Sequence, residues 1–258
     1  MQWIALFKKE IDESWHNKKL VWVPLVFILL TIMDPITYYY LPEILEHTGG
    51  VPEGTIFEIP EMRAEDVVML SLEQLGMFGT LLVGFITMGT IAGERKSGTM
   101  EMMLAKPIRM NHFITSKWAA NALLLIGALT IGLAFSMYYI SILFTTLNIS
   151  TIIGVIAFYS IWLLFVLSIS IFYNSFIRSP GAVLGCTIFT IMVLSTIKTV
   201  FGHKLTMLPN QMANHIGAFI EDKHVHTELM GTSAITLCAI IILVIASIIL
   251  FKKSEMVN

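Results

Sequence analysis

Long apolar stretches recur along this chain, and they constrain its fold more than any other feature of the sequence. A helix needs about 20 mostly apolar residues to cross the hydrocarbon core of a bilayer, where its backbone must satisfy its own hydrogen bonds. Six stretches reach this length, at residues 20–39, 67–92, 118–144, 151–172, 181–200 and 232–251. We therefore predict an all-α membrane protein with about six transmembrane helices in one domain, residues 20–258.

The composition excludes a soluble domain of ordinary size. Hydrophobic residues make up 56% of the chain and charged residues only 13%, whereas a soluble domain carries roughly 25% charged residues. The net charge of -2 gives no indication of nucleic acid as a partner. Cys186 and Cys238 each lie inside an apolar stretch, so we expect packing residues rather than a disulfide framework or metal ligands. No pattern typical of a cleaved signal peptide precedes the first stretch, which we expect to remain in the mature protein.

The distribution of Lys and Arg predicts how the spans are oriented. Cytoplasmic loops of membrane proteins carry an excess of these residues. They concentrate before the first span, between the second and third spans, at Arg178 and after the sixth span, at Lys252 and Lys253. The loop 41–66 holds only Arg63 among six glutamates. We therefore predict a multi-pass protein of the bacterial cell (inner) membrane with both termini in the cytoplasm.

Residues 1–19 have the pattern of an amphipathic helix that lies in the membrane interface. Apolar residues recur there at three- and four-residue spacing, at Trp3, Ile4, Phe7, Ile11 and Trp15. Such a helix places its apolar face at headgroup depth. It serves either as a plain anchor or as a helix that also contacts a cytoplasmic partner.

The loop between the second and third spans is the most informative segment. It leaves the second span through the charged residues Glu94 and Arg95. It then has the features of a short helix that Thr99 caps and Pro107 ends, with Glu101 in the first turn, where it favours the helix dipole.

Met100, Met103 and Leu104 would form one apolar face of this loop helix. Flexible Met side chains adapt to the grooves of partner proteins. The segment is therefore interpreted as a docking element in water beneath the bilayer, with a simple interfacial helix as the alternative.

Two pairs of glycines lie four residues apart within predicted spans, Gly89 with Gly93 and Gly181 with Gly185. Small residues at this spacing let two helices approach closely. Ordinary packing within the chain is the favoured interpretation, and an interface with another subunit is the alternative.

Few ionisable residues lie within the spans. Asp34, Glu73 and Lys198 fall toward the predicted outer ends, where charged side chains can reach headgroups. A structural role at the outer mouth is the favoured interpretation, with ion or substrate contact as the alternative.

The segment 201–231 between the last two spans contains four of the seven histidines, at positions 203, 215, 224 and 226, beside Glu221 and Asp222. Imidazole and carboxylate ligands suit zinc or copper. Solvated loop histidines are the default, and we predict no metal site.

The loop residues resemble a known family. The order Gly-Glu-Arg-x-x-Gly-Thr-x-Glu-x-x-Leu-x-x-Pro resembles the signature of type 2 ABC transporter permeases. It is filled here by Gly93, Glu94, Arg95, Gly98, Thr99, Glu101, Leu104 and Pro107. Within that family the chain is most similar to permeases of nitrous-oxide-reductase maturation and of drug, antibiotic or sodium export. The family often ends this segment in Gly-Lys, where this sequence has Ser116-Lys117.

The resemblance implies a half-transporter that works with other subunits. Its loop, including Met103, would be the coupling helix that docks on a separate ATP-binding cassette ATPase, and the segment after the fifth span would form outer re-entrant helices. A second permease, identical or different, would complete the transporter. The chain contains no Gly-x-x-x-x-Gly-Lys-Ser/Thr phosphate loop, so ATP and Mg would be bound by the partner and this chain would not be an enzyme.

We therefore predict the permease subunit of an exporter that moves an amphipathic drug, a peptide or a lipid-like molecule. A non-transporting membrane sensor or immunity subunit on the same fold is the alternative, as is export of sodium or a metal. An intramembrane enzyme is disfavoured, because the spans contain no paired aspartates, no nucleophile with a base and no His-Glu-x-x-His.

Overall fold

A computed structural model describes residues 2–47, 62–100 and 109–256, and it contains helices but no strand in those ranges. The helices are α1 Gln2–His16, α2 Lys19–His47, α3 Ala64–Gln74, α4 Thr80–Thr87, α5 Ala92–Lys96, α6 Met110–Leu143, α7 Ile149–Asn174, α8 Pro180–Phe201, α9 Met212–Asp222 and α10 Thr227–Met256. A π-helical turn, Leu75–Gly79, joins α3 to α4, and a 3₁₀ turn, Pro209–Gln211, precedes α9.

Six helical segments are long and apolar enough to cross a bilayer, which confirms the predicted fold class. They are Lys19–Ile44, Ala64–Lys96, Met110–Leu143, Ile149–Asn174, Pro180–Phe201 and Thr227–Ser254. Several extend beyond the predicted stretches, among them the third, whose helix begins at Met110 instead of residue 118. The reason is that an apolar run ends at its first charged residue, whereas the helix continues through the polar interface.

The third span, α6, lies at the centre of the bundle and packs closely against α2. The Thr31 hydroxyl donates a hydrogen bond to the Gly132 carbonyl at 2.8 Å. A Cβ placed on Gly132 would lie 3.1 Å from the Phe27 backbone, so the two helices approach closely because residue 132 has no side chain. This contact holds the first span against the centre of the fold.

The glycine pairs singled out in the sequence do not make such contacts. A Cβ on Gly89, Gly93, Gly181 or Gly185 would meet no described atom within 4 Å. The expectation of packing within the chain at these pairs is therefore wrong. Spacing alone could not reveal this, since it does not say which face of a helix meets a neighbour.

We call the two ends of the bundle the terminal end and the opposite end. At the terminal end, α1, α5, the first turns of α6 and the last turns of α10 meet, as the stacked rings of Phe113 and Phe251 show. At the opposite end, α9 packs against α3, α7 and α10 and buries the side chains of Met212, His215, Ile216, Phe219 and Ile220.

The short helix expected between the fifth and sixth spans is thus present, but one of its histidines is not solvated. His215 is 9% exposed, and its Nε2 lies 2.8 Å from the Thr206 carbonyl. His226 is exposed and bonds to Asp222 at 2.8 Å. The prediction of a solvated loop therefore fails for His215, because residues 212–222 form an amphipathic helix that turns this side chain inward.

Candidate functional site

The second span does not run straight into the signature segment. Residues 88–91 form a turn between α4 and α5, and the side chain of Asn174 on α7 satisfies the backbone groups at this break. Its Oδ1 accepts hydrogen bonds from the N–H groups of Ile91 and Ala92, at 3.2 and 3.1 Å. Its Nδ2 donates to the Thr87 carbonyl at 3.0 Å. A carboxamide can serve both kinds of partner, so Asn174 fixes the direction in which α5 leaves the span.

This direction brings Glu94 between two lysines. Glu94 Oε1 accepts hydrogen bonds from Lys9 Nζ on α1 at 2.8 Å and lies 2.9 Å from Lys117 Nζ on α6. Lys117 Nζ also donates to Glu10 Oε1 at 2.8 Å. We call Lys9, Glu10, Glu94 and Lys117 the charge clasp, because these four residues join three helices.

Three of the four residues of the charge clasp are buried. The side chain of Lys117 is 2% exposed, and those of Glu10 and Glu94 are 11% and 10% exposed, whereas that of Lys9 is 37% exposed. Removing one partner from a buried ion pair costs about 3–5 kcal/mol, since the other charge is then left without compensation. The clasp therefore specifies one arrangement of α1, α5 and α6.

Lys9 remains charged in this setting. Burial by itself lowers the pKa of Lys9, but the hydrogen bond to Glu94 and the carboxylates of Glu94, Glu10 and Glu13 together raise the pKa above its ordinary value. The charged form is thus favoured at every physiological pH.

Arg95 links α5 to the other side of the terminal end. Its Nη2 donates to the Ser175 carbonyl at 2.9 Å, and its guanidinium lies 5.1 Å from the centre of the Phe251 ring. A guanidinium at this distance from an aromatic face is attracted by the ring. Glu94 and Arg95 together connect α5 to four other parts of the fold: α1, α6, the end of α7 and α10.

The chain then turns at Gly98, whose φ of 73° lies in the left-handed region that favours glycine. Thr99 and Met100 already have helical backbone, so Thr99 lies inside the helix and not at the predicted cap position. Met100 is 2% exposed and belongs to the hydrophobic core. The other predicted coupling residues, Glu101, Met103, Leu104 and Pro107, lie outside the described residues.

The structure therefore describes the signature segment as far as Met100 and not the residues that follow it. We expected the charges and the methionine face to lie in water, and for Glu94 and Met100 this is wrong, because both are buried. Sequence analysis also missed Glu10, Lys117 and Asn174 as parts of the site. The available signal was that Lys117 falls one residue before the predicted start of an apolar span, where a burial penalty requires a partner.

Three carboxylates, of Glu10, Glu13 and Glu94, form the one group within the described ranges whose ligand atoms are close enough to hold a metal ion. Glu10 and Glu94 already bind the ammonium groups of Lys9 and Lys117. These positive charges would repel a cation, so the arrangement fits an ion-pair cluster and not a metal site.

The sequence matches the ABC-2 family transporter protein family over residues 4–256. It is 28% identical over 256 residues to the uncharacterized transmembrane protein YxlG of Bacillus subtilis (strain 168), and the similarity covers 98% of each chain. The six spans, the clasped signature segment and this match over nearly the whole length agree: the chain is a multi-pass membrane protein that belongs to the ABC-2 transporter family.

Proposed function

We propose that this chain is the permease subunit of an ATP-driven exporter and that its signature segment docks on a separate ATP-binding subunit. Permeases of the ABC-2 family generally partner with such a subunit and are generally not catalytic themselves. The absence of a phosphate-binding loop from the sequence supports this division of labour. ATP and Mg would be bound by the partner, and a second permease, identical or different, would complete the transporter.

The terminal end would face the cytoplasm, where the ATPase is found. The support is the excess of Lys and Arg in the segments that meet at this end, among them Lys8, Lys18, Lys96 and Lys252. Accessibility to a membrane-impermeant thiol reagent tests this orientation, using single cysteines introduced at Lys252 and Glu53. Labelling of intact cells at Lys252 but not at Glu53 would reverse the proposed topology.

The observation that carries the proposal is the continuity between the docking segment and the charge clasp. In the sequence, four residues separate the end of α5 from residues 101–107, and α5 is tied through Glu94 to α1 and α6. A displacement of the docking segment would therefore be passed to three helices at once instead of being absorbed by a flexible loop. Closure of the ATPase on nucleotide would in this way move the spans and expose the substrate on the other side.

The test is a substitution in the docking segment that leaves the clasp intact. We expect Met103→Asp to weaken association with the ATPase more than tenfold, since replacing a central apolar contact by a charge typically costs about 2 kcal/mol or more. The measurement is the amount of ATP-binding subunit that co-purifies with the tagged chain from its own host membranes, with ATP hydrolysis as a second readout.

The same substitution at Met207, which is 42% exposed at the opposite end, provides the control. Met207→Asp should leave co-purification and hydrolysis unchanged. If Met103→Asp also leaves both unchanged, the signature segment is not the docking element. ATP hydrolysis that never responds to any transported molecule would favour the alternative, a non-transporting sensor or immunity subunit.

A further inference from the structure

A cleft of about 540 Å³ opens between the second span, α7, α8 and α9, on the side of the opposite end. Its size lies within the range of roughly 300–1,000 Å³ that is typical of ligand pockets. Most of the wall is apolar, formed by Leu72, Met77, Leu81, Trp162, Ile188 and Met192. The charge clasp lies at the other end of the same span, so this cleft is a separate feature of the fold.

Two opposite charges line this cleft without forming an ion pair with each other. The carboxylate of Glu73 makes no hydrogen bond or ion pair with any described residue. The ammonium of Lys198 donates to Asn214 Oδ1 at 3.1 Å, its one hydrogen bond in the described part of the chain. Glu73 is exposed on the cleft and Lys198 is half-buried with one hydrogen bond, so the described residues compensate neither charge with an ion pair.

Two further polar groups of the cleft are buried without partners. Thr80 is 5% exposed, and its hydroxyl forms no hydrogen bond with the described residues. The Nδ2 atom of Asn210 is likewise buried and unpartnered. Thr87, at the other end of α4, shows how a buried threonine hydroxyl is usually satisfied. Its hydroxyl donates to the Val83 carbonyl and contacts Ser170 Oγ, both at 2.7 Å. Unsatisfied buried polar groups are rare and call for an explanation.

The backbone of the second span is also distorted along this wall. The π-helical turn Leu75–Gly79 contributes Gly76 and Met77 to the cleft. The hydroxyl of the buried Tyr159 donates to the Leu72 carbonyl at 3.2 Å, which supports the helix just before the turn. Single π turns inside α-helices occur often at functional sites, because they widen the helix and redirect side chains.

We propose that the cleft binds a zwitterionic amphiphile, and that this is the class of molecule the transporter moves. The positive group of its head would bind Glu73, and the negative group would accept hydrogen bonds from Lys198 and Asn210. Its apolar chain would lie along the methionine, leucine and tryptophan wall, with the Thr80 hydroxyl bonded to the head. As a substrate assignment this inference rests on the permease function proposed above.

Trp162, on the cleft wall, allows a direct binding measurement. The purified full-length chain in an uncharged detergent is titrated with lipids and detergents whose chains carry bromine, which quenches tryptophan fluorescence on contact. The contribution of Trp162 is the difference between the natural chain and Trp162→Phe, because the chain contains five tryptophans. The probes are a lysophosphatidylethanolamine, an alkyl betaine, an alkylamine and a fatty acid.

We expect the two zwitterionic probes to bind about tenfold or more tightly than the probes with one charge, the effect of one additional charged hydrogen bond. Glu73→Gln should remove the advantage over the fatty acid, and Lys198→Met the advantage over the alkylamine. The matched controls are Glu65→Gln, on the same helix as Glu73, and Lys204→Met, which lies beyond the cleft.

The two zwitterionic probes also distinguish the source of the ligand. Binding of lysophosphatidylethanolamine but not the betaine would identify a membrane lipid as the ligand, and binding of both would extend the site to other zwitterionic amphiphiles.

A pair of isosteric substitutions separates a binding role from a structural one. Thr80→Val removes a hydroxyl that forms no hydrogen bond with the described residues, so it should leave thermal stability unchanged or raised while weakening zwitterion binding several-fold. Thr87→Val removes a bonded hydroxyl and should lower stability without changing affinity. If Thr80→Val instead destabilises the protein and leaves binding unchanged, its hydroxyl has a structural role.

Equal affinity for all four probes, or zwitterion binding that Glu73→Gln and Lys198→Met leave intact, would overturn the inference. That result is distinguishable from failure of the permease function. If the probes bind without selectivity while Met103→Asp still uncouples the ATPase, only the proposed substrate class is refuted. Selective binding without any associated ATPase would refute the permease function and retain the binding site.

Discussion

The second span carries Glu94 near one end and Glu73 toward the other, and these two glutamates lie in contrasting surroundings. Glu94, at the terminal end, binds two lysines and is buried. Glu73, at the other end, lines an open cleft with Lys198 and pairs with no described residue. Both ends combine a carboxylate on the second span with a lysine on another span. The same two residue types join helices where they are packed together, and where they are held apart they are free to take part in the ligand binding proposed above.

The difference arises from the backbone on either side of each glutamate. At the terminal end, Asn174 satisfies the break at residues 88–91 and directs α5 toward α1 and α6. At the opposite end, the π turn Leu75–Gly79 lies beside the cleft, and α8 buries only Val183 and Thr187 along its length. One glutamate is thus enclosed by neighbouring helices and the other is left accessible.

The largest effect is expected from removing the shared lysine of the charge clasp. Lys117→Met leaves the buried carboxylates of Glu10 and Glu94 with Lys9 as their remaining ion-pair partner among the described residues, and should cost about 3–5 kcal/mol of stability. The measurement is the temperature at which half of the detergent-solubilised protein loses its monodisperse gel-filtration peak. Lys198→Met, the matched substitution at the cleft, should change this temperature little. Equal losses for both variants would remove the distinction between the two ends.

A smaller effect is expected from removing the side chain that directs α5. Asn174→Ala leaves the N–H groups of Ile91 and Ala92 without their partner, and unsatisfied buried groups cost about 1–3 kcal/mol each. Asn148→Ala provides the control, since Asn148 is exposed and bonds only to the Ser150 N–H at the start of α7, a cap worth about 1 kcal/mol. The same thermal assay ranks the two variants. A ranking in the opposite order would show that α5 is held by the charge clasp alone.

The smallest effect is expected at the turn that follows α5. Gly98 has a positive φ, and a side chain there costs roughly 1–2 kcal/mol although no described atom lies within 4 Å of its Cβ position. Gly93→Ala is the matched control, because Gly93 has the same open surroundings and no positive φ. Gly98→Ala should lower ATPase co-purification modestly, and Gly93→Ala should not. Identical behaviour would show that the turn adapts to a side chain at residue 98.

The sequence alone was sufficient to predict the six spans, because each apolar stretch is an independent, local property of about 20 residues. It was also sufficient to single out the signature segment from Gly93 to Pro107, since its residues are contiguous. The short helix after the fifth span was anticipated, although the burial of His215 within it was not.

Only the tertiary structure decided which partners each polar side chain has. Lys9, Glu94 and Lys117 are far apart in the chain, and nothing in their local sequence says that they meet, whereas Glu73 and Lys198 fail to meet although they line the same cleft. The physical reason is that hydropathy acts residue by residue and fixes which segments enter the membrane. The pairing of charges depends on the rotation and bending of whole helices, which the Asn174 contacts and the π turn determine.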